Sequence, residues 1–232
     1  MRKILLAILG AAGLLFALAA PASAAQPYII GGGDATETYS FMVSLDNGCG
    51  GSLVSPQWIV TAHHCGDASQ GRIGSTDINS GGEVGQIDDV TTDPGTDLTM
   101  MHLSQPVQAA PVSLAQDNPA AGTSARLLGW GCVSWPDCQT PSTLQQIDLT
   151  VLDSAECADG GGGAGDVCIS GDQAHSACHG DSGGPAVIGS SGKWTLVGET
   201  HGPGDNGGEC ATSTLYTGIA QYLTWINQQI GS

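Results

Sequence analysis

The chain has 232 residues, enough for one or two globular units, and carries 5 basic against 22 acidic residues, a formal net charge of −17. This excess of negative charge argues against nucleic acid and anionic membranes as partners, because both would repel the protein. Charged residues make up only 12% of the chain and hydrophobic ones 41%. The composition therefore predicts a packed domain rather than a disordered chain.

Residues 1–24 have the three parts of a signal peptide. Arg2-Lys3 is positively charged, residues 4–20 are apolar, and Ala22-Ser23-Ala24 is a small-x-small cleavage site. An uncleaved membrane anchor is the alternative, since the apolar run is near the short end for a spanning helix. The small residues favour cleavage. We therefore expect a secreted, extracellular protein with no membrane contact after signal removal, in a compartment that permits disulfides.

The rest of the chain is a series of short β-like runs separated by Gly, Pro, Asn and Asp. Such spacing predicts an all-β sandwich or barrel. The runs are 40–45, 51–54, 58–62, 126–130, 144–152, 185–188 and 194–198. One long helix is predicted at the C-terminus, where apolar residues recur near helical spacing and should form a docking face. They are Ile219, Tyr222, Leu223, Trp225, Ile226 and Ile230.

Eight cysteines, an even number in an exported chain, predict a framework of four disulfides, for which spacing alone leaves 105 connectivities. Metal binding is the competing interpretation, because His64 and His179 each neighbour a cysteine. No compact C-x-x-C doublet is present, and thiols in an oxidising space usually pair. We expect no metal and no cofactor. Calcium in the acidic loops stays possible, although no convincing ligand pattern marks it.

The segment 178–185, Cys-His-Gly-Asp-Ser-Gly-Gly-Pro, places a serine between an acid and two glycines. Glycine permits backbone angles that other residues avoid, so the run suits a tight loop with one exposed hydroxyl and convergent N–H groups. Acyl transfer needs this combination of nucleophile and oxyanion donors. A surface turn would explain Gly-Asp-Ser-Gly alone. The full motif further predicts a base and an orienting acid elsewhere in the chain.

Both partners are present. Thr61-Ala62-His63-His64-Cys65 places a histidine directly before a cysteine, and Asp97 opens the part-apolar run 97–103. With these motifs the sequence resembles the chymotrypsin-like (trypsin-family) serine proteases, in which His, Asp and Ser follow in this order. The similarity extends over residues 29–230 and suggests a secreted, bacterial-type member.

The resemblance implies two six-stranded antiparallel β-barrels with the catalytic site between them. It assigns His64 as base, Asp97 as its orienting acid and Ser182 as nucleophile. Backbone N–H groups of Gly180 and Ser182 would form the oxyanion hole. His63 stands where the family usually has alanine, and its role stays open. The position beside Cys65 favours His64 as the base.

Residues 29–32, Ile-Ile-Gly-Gly, resemble a mature N-terminus that zymogen cleavage exposes. The ammonium of Ile29 would fold inward and pair with Asp181, because a buried carboxylate is costly unless it is paired. Cleavage would follow Tyr28, leaving a propeptide of residues 25–28 and a peptidase domain of residues 29–232. The resemblance also suggests three disulfides and leaves two cysteines close enough to pair. The four expected pairs are Cys49–Cys65, Cys157–Cys168, Cys178–Cys210 and Cys132–Cys138.

Specificity is less sharply predicted. By the resemblance Ser176 lies at the pocket base, where an aspartate would select Lys or Arg, so trypsin-like cleavage is not expected. Pro203 and Thr214 stand at wall positions that are glycine in chymotrypsin-like pockets, which favours small or medium apolar residues. Tyr28 favours an aromatic preference if the enzyme activates itself. The segment around His201 departs from the family's usual Ser-Trp-Gly, and a proline nitrogen cannot donate, so the register there stays open.

The sequence thus predicts a serine endopeptidase that cleaves proteins or peptides after apolar residues, elastase-like or chymotrypsin-like. The alternative is a binding protein on the same fold whose activity is dispensable; an esterase is a minor possibility. Protein protease inhibitors are possible partners, and a monomer is expected. The four remaining histidines are expected at the surface or the rim of the site. They are His102, His175, His179 and His201.

Overall fold

The structure is a computed structural model that describes residues 29–206, 208–210 and 212–231. The predictions of a signal peptide, a propeptide and cleavage after Tyr28 concern residues 1–28, which lie outside the described residues. Within the described part, the strands and one helix form two β units.

The first unit is a closed six-stranded barrel with neighbour order β2-β3-β4-β7-β6-β5, all pairs antiparallel. Aromatic and β-branched residues such as those of Trp-Ile-Val-Thr favour the pleated, half-buried surface of a strand. Its strands are β2 (Met42–Leu45), β3 (Gly50–Ser55), β4 (Trp58–Thr61), β5 (Gln70–Ile73), β6 (Glu83–Thr92) and β7 (Thr99–Leu103). Leu53, Ile59 and Met100 are fully buried in its core.

The second unit is a curled eight-stranded sheet with the path β1-β10-β9-β12-β13-β14-β11, and β8 pairs in parallel with β13. Its strands are β1 (Gly33–Asp34), β8 (Ser113–Leu114), β9 (Ser124–Gly129), β10 (Gln145–Thr150), β11 (Val167–Ile169), β12 (Pro185–Ser190), β13 (Lys193–Pro203) and β14 (Thr214–Gly218). The curled sheet closes only through the isolated bridge between Val151 and Ile169. The predicted fold class is confirmed, with this half more open than a complete barrel.

The predicted terminal helix is confirmed as α1 (Ile219–Gln229). Ile219 and Ile226 are fully buried, and the other apolar residues of its predicted face pack beside them. Two short 3₁₀ helices are also present, at His63–Cys65 and Ser154–Gly160. In the described ranges no helix is long and apolar enough to cross a membrane.

All four expected disulfides are present. Their Cα–Cα distances lie in the usual range: 6.2 Å for Cys49–Cys65, 4.9 Å for Cys132–Cys138, 5.6 Å for Cys157–Cys168 and 5.1 Å for Cys178–Cys210. Cys49–Cys65 joins the turn before β3 to the 3₁₀ helix after β4, and Cys178–Cys210 joins the start of the serine loop to the segment between β13 and β14. The cross-links therefore fix both sides of the predicted site.

Candidate active site

The strand register of the closed barrel brings the predicted base and acid together. Thr61 at the end of β4 lies opposite Thr99 at the start of β7. His64, just beyond Thr61, and Asp97, just before Thr99, therefore emerge at the same edge of the barrel. One Asp97 oxygen accepts the backbone N–H of His64 at 2.7 Å, and the other lies 2.7 Å from His64 Nδ1. These two contacts orient the imidazole ring.

Asp97 stays ionised despite its burial. Desolvation works to raise the pKa of its carboxyl, but the hydrogen bonds from the His64 ring and backbone and the nearby rings of His64 and His201 outweigh it, so the pKa lies below its ordinary value. Its side chain is 10% exposed, against 39% for that of His64. A fixed negative charge behind a solvent-accessible imidazole is what a general base requires. The neighbouring His63 is exposed, and it is His64 that contacts the carboxylate.

The serine loop is shaped by left-handed glycines. Gly180 has φ +91°, and a Cβ there would lie 3.0 Å from the Cα of Gly131. Asp181 and Gly184 donate their N–H groups within the loop. Among the described residues, the N–H groups of Gly180 and Ser182 donate no hydrogen bond. Both are therefore available to a substrate oxygen.

A second glycine docks this loop against the closed barrel. Gly183 has φ +67°, and a Cβ there would lie 2.2 Å from Thr61 Oγ1 and 3.0 Å from the nitrogen of Ala62. The carbonyl of Ser182 accepts the N–H of Gly50 at 2.8 Å. Only glycine allows this approach, which places Ser182 beside the chain segment that leads into the His64 turn.

Asp181, next to the serine, is held very differently from Asp97. It is 2% exposed, and among the described residues its carboxylate accepts only the N–H groups of Gly131 and Cys178, each at 2.9 Å. Burial raises the pKa of this carboxyl to about 7, although both backbone hydrogen bonds act in the opposite direction. A cation would therefore stabilise it strongly in its ionised form.

The N-terminal segment reaches the same half of the molecule. Ile29 is fully buried in the apolar cluster of the curled sheet, and Ile30 forms a bridge with Ser176, whose N–H donates to the Ile30 carbonyl at 3.0 Å. In the uncleaved chain the nitrogen of Ile29 is a peptide nitrogen. No hydrogen bond or ion pair joins Ile29 to Asp181 within the described residues.

A cavity of about 150 Å³ opens beside Ser182. Pro203 and Thr214, the predicted wall residues, both line it and lie opposite each other in the β13–β14 ladder. Ser176, which was predicted to lie at the bottom of the specificity pocket, is fully buried and is absent from the described lining. The rest of the lining is Ala177, Cys178, His179, Thr200, His201, Gly202, Glu209, Cys210, Thr212 and Ser213. Glu209 is exposed, and it is the only acidic residue among the described residues that line the cavity.

His201 is a site residue that the sequence interpretation placed only at the rim. Its Nε2 lies 3.8 Å from Asp97 Oδ2, and its ring lies near that of His64, with centroids 6.3 Å apart and planes at 26°. The departure from Ser-Trp-Gly was the available signal, but sequence could not show where the ring points. His102 and His175 instead pair with Asp88 and Asp172 away from this contact.

Groups that could hold a metal ion are absent from the described ranges, which contain no suitable cluster of three His, Cys, Asp or Glu side chains. The arrangement is that of acyl transfer: an oriented imidazole, a serine on a loop packed against the barrel segment just before that imidazole, two free N–H groups and an adjacent cavity. Among the described residues, no hydrogen bond joins Ser182 to His64.

Comparison with known proteins agrees with this chemistry. The family model described as Trypsin matches residues 29–226. Trypsin alpha of Drosophila melanogaster is 33% identical over 226 residues, covering 84% of this chain and 85% of the relative. Trypsin theta of Drosophila erecta is 32% identical over an alignment of 254 residues, covering 93% of each. These relatives give no support to the expectation of a bacterial-type member. From the family match and the relatives together, the chain belongs to the trypsin family of serine proteases and is a serine endopeptidase.

Proposed function

We propose that Ser182 is the nucleophile of this endopeptidase, His64 its general base and Asp97 the residue that fixes the His64 ring. The observation that carries these roles is the double contact of Asp97 with the backbone N–H and Nδ1 of His64, both at 2.7 Å. It leaves Nε2 as the ring nitrogen that can take a proton from a serine hydroxyl.

In the proposed reaction, Ser182 Oγ attacks the scissile carbonyl carbon while His64 Nε2 takes the hydroxyl proton. The N–H groups of Gly180 and Ser182 donate to the oxyanion of the tetrahedral intermediate. As the C–N bond breaks, His64 returns the proton to the leaving amine, and an acyl-enzyme forms. Water then attacks the ester with His64 again as base, releasing the carboxylic acid and restoring Ser182. Asp97 keeps its charge throughout and stabilises the imidazolium.

The proposed substrates are proteins and peptides with an apolar side chain before the scissile bond. Pro203 and Thr214 narrow the cavity with apolar and neutral surface. Ser176, buried outside the described lining, brings no charge that would select a Lys or Arg side chain. A volume near 150 Å³ is known to hold a benzene-sized group, so both small aliphatic and aromatic residues fit the proposal. Cleavage after Lys or Arg has two supporting features, the trypsin names of the relatives and the Glu209 carboxylate on the lining.

We further propose that the protein is secreted as a zymogen with a short propeptide and works as an extracellular monomer. Protein protease inhibitors would bind at its active-site cleft. Removal of residues 1–28 would turn the Ile29 nitrogen into an ammonium. Its insertion beside Asp181 would supply the cation that the buried carboxylate lacks and would order the loop of Gly180 and Ser182. The complete burial of Ile29 and the four disulfides support this route.

Digestion of a diverse peptide mixture by the secreted, processed protein tests the proposal, with Ser182→Ala as control and cleavage sites determined by mass spectrometry. We expect cuts after Ala, Val, Leu, Phe or Tyr that vanish in the control. Cuts after Lys and Arg would instead assign the pocket charge to Glu209. Protein with a free Ile29 that neither cuts peptides nor reacts with a covalent serine label would favour the dispensable-activity alternative.

A further inference from the structure

Two cavities on the closed barrel share three lining residues and therefore form one continuous depression, the barrel groove. The shared residues are Ser44, Gly48 and Ile78. The first cavity, of about 340 Å³, begins at Gly180, whose N–H is a proposed oxyanion donor. The second, of about 310 Å³, reaches Arg72 and Val84 on the outer face of the barrel. The groove thus leads from the catalytic site to a distant part of the surface.

The position of Gly180 sets which part of a substrate enters the barrel groove. The cavity beside Ser182, which takes the side chain before the scissile bond, has no described lining residue in common with the groove. Gly180 lies at the start of the groove, and its N–H would bind the oxygen of the scissile bond. A peptide that passes this point leaves the cavity and enters the groove with the residues that follow the scissile bond.

The far end of the groove is built from a row of residues across three strands. Arg72 on β5 lies opposite Ser44 on β2 and opposite Val84 on β6. Residues directly opposite each other in a sheet point to the same face. Val84 is 48% exposed, so this face is the outer one, and Val84 is the most exposed large hydrophobic side chain in the described ranges. It offers uncovered apolar surface beside the Arg72 side chain.

Arg72 presents a fixed positive charge in this row. Its Nε donates to the carbonyl of Ile78 at 3.1 Å and its Nη1 to that of Gly81 at 2.6 Å, which holds the guanidinium plane in place. Among the described residues, Nη2 donates no hydrogen bond and no carboxylate forms an ion pair with Arg72. Arg126, by contrast, is paired with Asp148. A held guanidinium with a free donor suits the carboxylate of a ligand.

The length of the path indicates which substrate residue would reach Arg72. The carbonyl of Ser182 accepts the N–H of Gly50, Gly50 lies opposite Ser44, and Ser44 lies opposite Arg72. Hydrogen-bonded neighbours in a sheet are about 5 Å apart, so these three steps cover about 15 Å. An extended peptide spans about 3.4 Å per residue, and the arginine side chain shortens the path. The third to fifth residues after the scissile bond therefore come within reach.

We propose that the barrel groove binds the substrate residues after the scissile bond and selects a glutamate among the third to fifth of them. The glutamate carboxylate pairs with Arg72, and its two methylene groups lie on Val84. This role rests on the proposed function of Ser182 and Gly180, and it names the substrate class more closely, as peptides with an acidic leaving-group side.

Asp46 acts against this preference. It lines the same end of the groove, and hydrogen bonds from the hydroxyl and the backbone N–H of Ser69 hold the pKa of its carboxyl below the ordinary value, so it is ionised. Both Arg72 and its ligand lie at the surface, where an ion pair gains little and is screened by salt. We therefore expect a preference for glutamate over glutamine of about three- to fivefold at low salt.

The test uses the secreted, processed enzyme and a parent peptide that it cleaves, with active sites counted by a covalent serine label. Glu and Gln are placed in turn at each of the first six residues after the scissile bond, and their kcat/KM values are compared. The Glu/Gln ratio should reach about three to five within the third to fifth positions at low salt and fall to about one in about 1 M salt. Arg72→Gln should lower the ratio to about one, and Asp46→Asn should raise it.

Lys193→Gln is the matched control, because it removes the same formal charge from an exposed residue outside the described lining of the groove. It should leave the ratio unchanged. A ratio near one at every position in the unaltered enzyme, a ratio that survives Arg72→Gln, or an equal loss in Lys193→Gln would overturn the proposal. If Arg72→Gln does not fold, a ratio that fails to rise in Asp46→Asn would do so. Failure of the unaltered enzyme to take the serine label would reject the proposed function instead.

Discussion

The two β units hold their carboxylates at the site in opposite ways. In the closed barrel, Asp97 has a histidine on both oxygens, and its pKa lies below the ordinary value. In the curled sheet, Asp181 has only two backbone N–H donors within the described part of the chain, and burial raises its pKa to about 7. Asp97 has hydrogen-bond partners for both of its oxygens as soon as the chain folds. Asp181 still lacks a cation, so on the proposed route half of the site is completed by folding and the other half by cleavage.

The largest effect on the contrast between the two carboxylates is expected from Asp97→Asn. An amide keeps the shape but cannot accept from both the N–H and the ring of His64 as a carboxylate does, and it favours the wrong ring tautomer. We expect kcat to fall by about 10⁴-fold, measured with a peptide ester or amide substrate. Asp88→Asn, at the similar His102 pair, should leave kcat unchanged. A loss below about tenfold at Asp97 would remove this residue from the mechanism.

Asp181→Asn tests the buried carboxylate that has no cationic partner before cleavage. The change is made in the uncleaved precursor, which also carries Ser182→Ala so that it cannot process itself. Between about pH 4 and pH 7 the folded precursor keeps the Asp181 proton while the unfolded chain has released it, so stability falls as pH rises. A pKa near 7 against 3.8 corresponds to about 4 kcal/mol across that window. The asparagine variant should lose this pH dependence.

Urea unfolding of the two precursors at a series of pH values measures the difference. The variant also loses one acceptor for the N–H of Gly131 or Cys178, so its stability should be lower by about 1–3 kcal/mol near pH 4, and the order should reverse above about pH 7 as Asp181 of the unaltered precursor ionises. Because Glu199 titrates in both proteins, the difference between the curves isolates Asp181. Parallel curves from pH 4 to about pH 8 would contradict the assigned burial effect.

The oxyanion loop gives the next effect. Gly180→Ala strains a residue with φ +91° and displaces one proposed N–H donor, so kcat should fall by about 10²–10³-fold with less change in KM. Gly122→Ala is the matched control, because its φ is +88° and a Cβ there meets nothing within 4 Å. It should show the backbone cost of about 1–2 kcal/mol in stability and no loss of kcat. Equal kcat losses in both variants would refute the donor role.

The smallest expected effect lies at the pocket wall. Thr214→Gly removes a buried side chain from the cavity lining and should raise kcat/KM for Phe or Tyr relative to Ala by about tenfold. Thr195→Gly, near the opposite end of β13 and absent from the described cavity lining, should leave that ratio unchanged. A preference that ignores Thr214 would place the specificity determinant elsewhere.

Residues whose role depends on local pattern were predictable from the sequence. The serine motif, the His64 and Asp97 segments and the cysteine pairs carried the resemblance, and the apolar spacing of the last helix predicted α1. The strand β6, Glu83–Thr92, was not predicted from the sequence, because it is mostly polar and partly exposed, with little hydrophobic alternation. It is a strand because its neighbours in the barrel pair with it.

The position of His201 could not be predicted for a different reason. It depends on one extra residue in the β13–β14 register, and a bulge leaves no fixed signal in the residue types around it. The same holds for the fit of Gly183 against Thr61, which joins parts of the chain more than a hundred residues apart. Such contacts belong to the packing of the two units rather than to either segment.

The complete burial of Ile29 also limits how the protein can be manufactured. On the proposed activation route, any residue that a purification tag leaves ahead of Ile29 would keep its nitrogen as an amide. Such a preparation would have a normal circular dichroism spectrum and correct disulfides, yet it would be inactive. A fusion partner therefore belongs after α1, where Gly231 is exposed, and the front of the chain should be released by a processing enzyme that leaves no scar.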